Sequence, residues 1–322
     1  MKHYTGNDLR KLYDEVPPEL QDRVSRTLAG LPEKDRQNAG MSRKVWICLA
    51  AAMVLLVGLT TAGFATGTIQ RWLYTYQYTV LEDGSAEIWR YNGNEETVAV
   101  PEEIDGHPVT AIGNRAFYQC HSLKEVVIPE GVTGIGSLAF AECTHLESVS
   151  IPDSVTMINS YAFVFCESLT EVQIPDSVDL IGYGAFGNCS SLRNVRLPEK
   201  TAVLYREVFS YCRSLENIVI PESVTVIGDN AFAFCESLTD ITLPEGLTEI
   251  GQYAFGECTG LRQVTIPRSV KEIHRYAFLG CSRDLRLIVA KDSYAAEYCR
   301  ENGLTYKELP EMKNVQPATG ND

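Results

Sequence analysis

The sequence predicts a β-rich solenoid of 23-residue repeats with a cap at each end, preceded by one transmembrane helix. Two observations lead to this architecture. A single motif returns eight times without insertion within residues 112–289, and residues 45–66 carry no charged side chain. Self-similarity at a fixed period is typical of stacked repeat proteins, and about 20 apolar residues in a helix span the hydrocarbon of a bilayer.

The charge of the chain excludes nucleic acid as a main partner. Its formal net charge is −14, from 28 Lys and Arg against 42 Asp and Glu. Residues 1–44 hold nine basic and seven acidic residues, which leaves 19 basic and 35 acidic residues for the rest of the chain. A phosphate backbone selects basic surfaces, so the strongly acidic part after the apolar run does not suit it.

Residues 1–44 are interpreted as a cytoplasmic stub with one short amphipathic helix. Pro17 and Pro18 favour the helix start and Pro32 lies just past its end. Four apolar residues share one face, namely Leu20, Val24, Leu28 and Leu31. The stub weakly resembles the tails of single-pass bacterial signalling proteins, which implies a cytoplasmic protein partner for residues 1–44. A solvated stub without a partner is an equally good interpretation.

Residues 45–66 are interpreted as a signal-anchor helix in the cell membrane. Arg43 and Lys44 precede the apolar run and only Arg71 follows it closely. The positive-inside rule therefore places the N-terminus in the cytoplasm and the repeats outside. The alternative is a cleaved signal peptide that ends at Gly63-Phe64-Ala65, although 44 residues ahead of the run are long for one.

Residues 67–111 are predicted to form a juxtamembrane segment and an N-terminal cap. Asp83-Gly84 and Asn92-Gly93 are turn signals between residues of high strand propensity, which indicates a β-hairpin cap.

The repeats occupy residues 112–289 in about eight units. In the second unit, Val126 and Ile128 alternate as on a strand, and Pro129 ends the pairing because it has no N–H. Stacked units bury the apolar face that a single unit cannot bury. Each unit also carries a Phe and, three residues later, a Cys, and both columns are predicted to point inward: Phe117, Phe140, Phe163, Phe186, Phe209, Phe232, Phe255 and Phe278, with Cys120, Cys143, Cys166, Cys189, Cys212, Cys235, Cys258 and Cys281.

Two further columns have structural interpretations. Eight cysteines in one register position predict a stack of free, buried thiols rather than disulfides, because equivalent side chains point the same way. A glycine after the second Ile of the unit predicts a turn with positive φ; it recurs at Gly113, Gly136, Gly182, Gly228 and Gly251.

Residues 290–309 are predicted to form a C-terminal cap. Ser293 is a suitable N-cap for a helix over residues 294–302, Gly303 would end it, and residues 304–309 would add a last strand. Residues 310–322 are interpreted as a disordered tail.

The repeat resembles that of the BspA-like leucine-rich repeat family of bacterial surface proteins. The family unit is L-x-x-V-x-I-P-x-x-V-x-x-I-G-x-x-A-F-x-x-C, and the likeness covers residues 112–289, with flanking segments similar to the family's caps. The resemblance implies a leucine-rich repeat solenoid with a surface-exposed adhesion or recognition role. The motif specifies the fold and not the ligand.

No enzyme, cofactor or metal site is predicted. The five histidines share no register, and no nucleophile elbow, nucleotide-binding loop or zinc motif occurs. An acidic column after the Pro residues could collect Ca²⁺, yet acidic residues more often open a solvated turn; the column holds Glu130, Asp153, Asp176, Glu199, Glu222 and Glu245. We therefore expect a module that binds a protein or glycan on the extracellular side. The alternative is a transmembrane signal transducer whose N-terminal helix docks a regulator.

The unit from Arg193 to Phe209 departs most from the motif. Tyr205 replaces the glycine and Val208 replaces an alanine, while three arginines bring positive charge. Arg and Tyr are enriched in binding hot spots, although drift in a tolerant repeat explains the same departures. The predicted partner-binding residues, taken from this unit and from the outward strand face, are Arg193, Arg196, Tyr205, Arg206, Gln173 and Val219.

Overall fold

The computed structural model describes residues 75–309. The predicted stub (1–44), the predicted transmembrane helix (45–66) and the predicted tail (310–322) lie outside the described residues, as does the juxtamembrane part of the predicted cap. Within residues 75–309, no helix has the length and apolar character needed to cross a membrane.

The described chain opens with a hairpin and an irregular coil. Strands β1 (Tyr76–Val80) and β2 (Ala86–Tyr91) pair antiparallel across the predicted Asp83-Gly84 turn. Then follow β3 (Thr97–Ala99), β4 (Glu103–Ile104) and β5 (His107–Ile112). Because β3 pairs in parallel with the first repeat strand, coil stacking already begins within residues 67–111.

The chain then winds into a β-solenoid of about ten turns, which confirms the predicted solenoid of 23-residue repeats. Each repeat supplies two short strands, which are β6 (Glu125–Val127), β7 (Gly134–Ile135), β8 (Ser148–Ser150), β9 (Met157–Ile158), β10 (Glu171–Gln173), β11 (Leu180–Ile181), β12 (Asn194–Arg196), β13 (Val203–Leu204), β14 (Asn217–Ile218), β15 (Val226–Ile227), β16 (Asp240–Thr242), β17 (Glu249–Ile250), β18 (Gln263–Ile266) and β19 (Glu272–Ile273). From β6 to β19, the even-numbered strands form a front ladder and the odd-numbered strands a back ladder.

Both ladders are parallel and each is interrupted. The front ladder consists of β3-β6-β8, β10-β12-β14 and β16-β18-β20-β21, where β20 (Arg286–Ala290) and β21 (Tyr306–Leu309) close the C-terminal end. The back ladder runs from β5 to β11 and from β13 to β19, with the hairpin added at its start. Its one break therefore falls between β11 and β13, ahead of Tyr205.

The phenylalanine column is the centre of the core, as predicted. Phe117 to Phe255 are fully buried and Phe278 is 4% exposed. Successive rings stack with centroids 4.8 to 5.8 Å apart, and the widest gaps lie on the two sides of Phe209. Val208, in place of the usual alanine, precedes that ring. Tyr91 and Tyr298 continue the column beyond Phe117 and Phe278.

The cysteine column consists of free thiols, as predicted. From Cys143 onward each Sγ donates to the carbonyl oxygen of a Phe in the preceding coil, at 3.0 to 3.3 Å. Cysteine is small enough for this position and still supplies a donor, which explains why it recurs. Cys120 and Cys281, at the two ends of the column, are partly exposed.

The prediction of positive φ at the repeated glycines is wrong. Gly113, Gly136, Gly182, Gly228 and Gly251 are absent from the positive-φ residues of the described chain. They are needed because neighbouring coils approach closely: a Cβ on Gly136 would lie 2.6 Å from the carbonyl carbon of Gly113. The glycine column is therefore a contact between backbones, with no turn requirement.

Positive φ occurs at two other positions of the repeat, and most of the residues at these positions are not glycine. The first position directly precedes the Ala-Phe pair, and the second lies two residues after the Phe. Thirteen non-glycine residues at these positions have φ between 53° and 61°; they are Arg115, Leu138, Tyr161, Glu207, Asn230 and Tyr253 at the first, and Gln119, Glu142, Phe165, Asn188, Tyr211, Phe234 and Glu257 at the second.

The C-terminal cap matches its prediction. Helix α1 (Tyr294–Asn302) begins at Ser293, whose Oγ accepts from the Ala296 N–H at 3.2 Å. It ends at Gly303, which has the left-handed φ of 64°. The buried side chains of α1 and β20 then close the apolar end of the solenoid.

Candidate functional site

The six partner-binding residues predicted from the sequence fall into two groups. Gln173, Arg196 and Val219 lie 23 residues apart on consecutive coils of the front ladder, with Gln173 and Arg196 directly paired. Arg193 just precedes β12 on the same side of the repeat. Tyr205 and Arg206 directly follow β13 in the back ladder, so the structure does not bring them together with Arg196.

In the front-ladder group, the charge of Arg196 is paired. Arg196 donates to Asp176 Oδ2 at 2.6 Å and to the Ile174 carbonyl oxygen at 3.2 Å. This hydrogen bond lowers the pKa of Asp176 and raises that of Arg196. Val219 is 82% exposed, which leaves one apolar side chain beside a compensated ion pair.

The back-ladder group coincides with the break in that ladder. The N–H groups of Gly182 and Gly228 each donate to the preceding coil at 2.8 Å, whereas Tyr205, within the described chain, makes no such bond. Its ring meets Tyr183 edge-on with centroids 5.2 Å apart. Arg206 pairs with Glu207 at 2.8 Å, so its charge is also compensated.

A groove with a volume of about 640 Å³ lies on a different surface, along the turn that joins the back strand to the cysteine. We call this surface the turn face. Its lining comes from the two left-handed columns and from the residue that follows each Phe, so the groove runs along the solenoid axis over six coils. Six coils correspond to about 24 Å at the usual strand spacing.

Glycines form the floor of this groove. Gly184 has a φ of +56°, and a Cβ on it would overlap the ring of Tyr161. Gly187 stands where other coils carry Tyr118, Val164 and Leu279. The coil from Gly184 to Asn188 therefore lacks two side chains that its neighbours have, and the surface is recessed there.

Aromatic side chains form the walls of the groove. Tyr161 and Phe165 stand on one side of the floor and are 38% and 43% exposed. Tyr211 and Phe234 stand on the other side, with rings stacked 4.3 Å apart at 9°. Tyr161 and Phe165 are exposed, and Tyr211 and Phe234 are half-buried, so the groove presents apolar area to solvent within the described chain.

Polar groups in the groove are either paired or free. Glu142 accepts from Gln119 at 2.8 Å and from Tyr118 at 2.7 Å, which lowers its pKa. In contrast, the side-chain amides of Asn188 and Asn230, both half-buried in the lining, make no hydrogen bond within the described residues. Each amide offers both donors and an acceptor to a ligand.

Sequence reasoning missed this groove because it assigned the turn to glycine. The signal was present: Phe165, Asn188, Tyr211 and Phe234 follow at 23-residue intervals. Recognising it requires knowing that the second left-handed position faces solvent, which the pattern of Ala, Phe and Cys alone does not state.

The described residues hold no group of three or more His, Cys, Asp or Glu that could bind a metal ion. The acidic column of the predicted Ca²⁺ alternative is exposed along its length. Asp176 is its one member paired with an arginine within residues 75–309.

A family model and two crystal structures are similar to this chain. A model of the BspA type leucine-rich repeat region matches residues 102–214 and 156–284. The crystal structure of the leucine-rich repeat protein from T. pallidum is 30% identical, with a TM-score of 0.51, and covers 72% of this chain and 95% of its own. The crystal structure of a leucine-rich repeat protein from Bacteroides ovatus is 27% identical, with a TM-score of 0.45. The match covers 73% of this chain and 75% of that protein's chain. A search of curated proteins gave no match.

Proposed function

Because the chain belongs to the BspA-type leucine-rich repeat family, we propose that it is a cell-surface binding module. In this proposal residues 45–66 anchor the chain in the cell membrane with the N-terminus inside, and the solenoid binds a protein or glycan partner outside. The anchor is inferred from the charge-free run and its basic flank.

The observation that carries the binding role is a contrast between inward and outward columns. The inward phenylalanine is the same residue in all eight units, and so is the inward cysteine. The second left-handed position, two residues after the Phe, instead reads Gln, Glu, Phe, Asn, Tyr, Phe, Glu and Gly. Packing fixes the first set, whereas the second set lies at the surface, where the core does not constrain the side chain. A varied surface on a uniform core is what a recognition module requires.

The fixed columns also argue against an enzyme. Their chemically reactive groups are the thiols, and six of the eight are fully buried against phenylalanine carbonyls. Burial raises the pKa of Cys189 to about 12, which leaves it protonated at neutral pH. A protonated, covered thiol is a poor nucleophile.

A topology experiment tests the anchor. Protease added to intact cells that express the full chain should remove the repeats and spare residues 1–44, as judged by epitopes at the two ends. Permeabilised cells are the control, in which both epitopes should be lost. A mature protein that begins near Thr66 would contradict the anchor.

Photo-crosslinking tests the binding role. A photoreactive residue at Val219 or Tyr118 of the full chain should capture a partner on cells, while one at buried Phe163 should capture none. Capture only from position 20, in the predicted cytoplasmic helix, would contradict the surface-binding proposal and favour the signal-transducer alternative.

A further inference from the structure

The groove on the turn face carries an inference about the chemical class of the partner. It combines the exposed ring of Phe165, the half-buried ring of Tyr211, two amides without partners within the described residues and a recessed floor. We propose that it binds a neutral oligosaccharide, with pyranose rings against Phe165 and Tyr211 and sugar hydroxyls on Asn188 and Asn230. This proposal rests on the binding function proposed above.

Ring geometry supports a sugar. Phe165 and Tyr211 occupy the same column two coils apart, which is about 10 Å at the usual strand spacing. The coil between them carries Asn188 in that column and glycines in the floor. A sugar chain laid along the solenoid axis would therefore meet a ring, an amide and a second ring in turn. The C–H face of a pyranose is electropositive and suits the negative face of an aromatic ring.

The charge of the lining favours a neutral ligand. Its charged residues are Arg115, Glu142 and Glu207. Glu207 is paired with Arg206, and Glu142 already accepts two hydrogen bonds. The lining therefore offers no unpaired cluster of cations, and the chain as a whole is acidic. A sulfated, sialylated or otherwise anionic chain would be repelled.

The backbone of the groove disfavours a peptide. An extended peptide docks best by continuing a sheet, which requires free N–H and carbonyl groups. On the turn face these groups already bond to the next coil: Phe165 N–H donates to the Gly187 carbonyl oxygen at 2.9 Å, and Asn188 N–H donates to that of Ser210 at 2.7 Å. What remains for a ligand is side chains, which suits a sugar that supplies its own hydroxyls.

The repeat itself provides substitutions that empty or fill the groove with residues it already carries at equivalent positions. Asn occurs naturally in both left-handed columns, at Asn188 and Asn230, and asparagine tolerates positive φ. Phe165→Asn and Tyr211→Asn therefore remove rings at compatible positions. Gly187→Val fills the floor with the residue that Val164 has in the equivalent place of the adjacent coil. Its Cβ would lie 3.3 Å from the Gly184 carbonyl oxygen, a close backbone contact that makes the unfolding control necessary for this variant.

The test uses the full chain in a detergent without a sugar headgroup. Binding is measured on an array of neutral oligosaccharides of glucose, galactose, mannose and N-acetylglucosamine in α and β linkage, with oligogalacturonate as the anionic probe. Calorimetry with the best probe then compares the variants. We expect binding to a neutral probe and none to oligogalacturonate. Each of the three groove variants should weaken that binding by about five- to tenfold or more.

Two controls make the result specific. Tyr253→Asn lies in the same column as Tyr161 but outside the groove, so it should leave affinity unchanged. Thermal unfolding of each variant checks that the coil is intact. The inference is overturned if no neutral probe binds, or if binding survives the groove variants. Capture of a protein at Val219, combined with no sugar binding, would overturn the sugar site and leave the binding function standing.

Discussion

Replacing Phe163 by alanine should be among the most destabilising single changes in the solenoid. Phe163 is fully buried, and its ring is stacked between Phe140 at 5.1 Å and Phe186 at 5.3 Å, each within 2° of parallel. Removing a buried phenyl group costs about 3–5 kcal/mol, from lost transfer free energy and the cavity left behind. The position within that range depends on whether the neighbouring rings can close the gap.

The structure places the loss near the upper end of the range. The Phe163 N–H donates to the Ala185 carbonyl oxygen at 2.8 Å, and the Phe140 N–H donates to that of Ala162 at 2.7 Å. These bonds hold the coil spacing on both sides, so the cavity cannot collapse without breaking them. We expect a loss of about 4–5 kcal/mol. At Phe278 the loss should be smaller, because Tyr298 meets that ring at 6.5 Å and 57° instead of stacking on it.

Urea unfolding of residues 75–309, followed by circular dichroism and by Trp89 fluorescence, measures this difference. Two probes are needed because a repeat array with a weakened middle coil can unfold in two parts. Phe165→Ala is a matched control in the same coil: its ring is 43% exposed, so its loss should stay within about 0.5 kcal/mol. Equal losses at positions 163 and 165, or a loss under about 1 kcal/mol at Phe163, would refute the packing argument.

Three further predictions concern the left-handed turns and the thiols. Leu138→Asn should raise the free energy of unfolding by about 1 kcal/mol, because leucine at φ 59° is strained and asparagine is not; an unchanged or lower urea midpoint would contradict this. In folded protein, peptide mapping after alkylation should find Cys120 labelled first, since its contact with the Cys143 thiol lowers the pKa of Cys120 and raises that of Cys143. Alkylation of the fully buried cysteines before Cys120 would contradict this prediction. The free energy of unfolding should be nearly constant from about pH 7 to 9 and decline towards pH 12, because burial raises the pKa of Cys189 and Cys281 from 9.0 to about 12 and the unfolded chain releases these protons first. A urea midpoint that stays level from about pH 9 to 12 would rule this out.

The period of the sequence determined the solenoid and its interior. Spacing of 23 residues predicted the stacked coils, and the fixed Phe and Cys registers predicted two inward columns of rings and free thiols. The C-terminal cap was equally predictable. Ser293 and Gly303 cap the two ends of the helix by contacts with residues that are close in sequence. These features depend on residues close in sequence or on exact repetition, which a single chain displays.

Distances between coils were decided only by the tertiary structure. The repeated glycine is a residue of close backbone approach, which the sequence cannot distinguish from a residue of positive φ, because glycine suits both. The left-handed positions went unseen because Leu138, Phe165 and similar residues rarely adopt that backbone; here bonds between adjacent coils hold them in it. The groove is formed by side chains at these left-handed positions, so its location also depends on the tertiary structure. Phe165, Asn188 and Tyr211 are evenly spaced in the chain, but they form one surface because stacking places successive coils about one strand spacing apart.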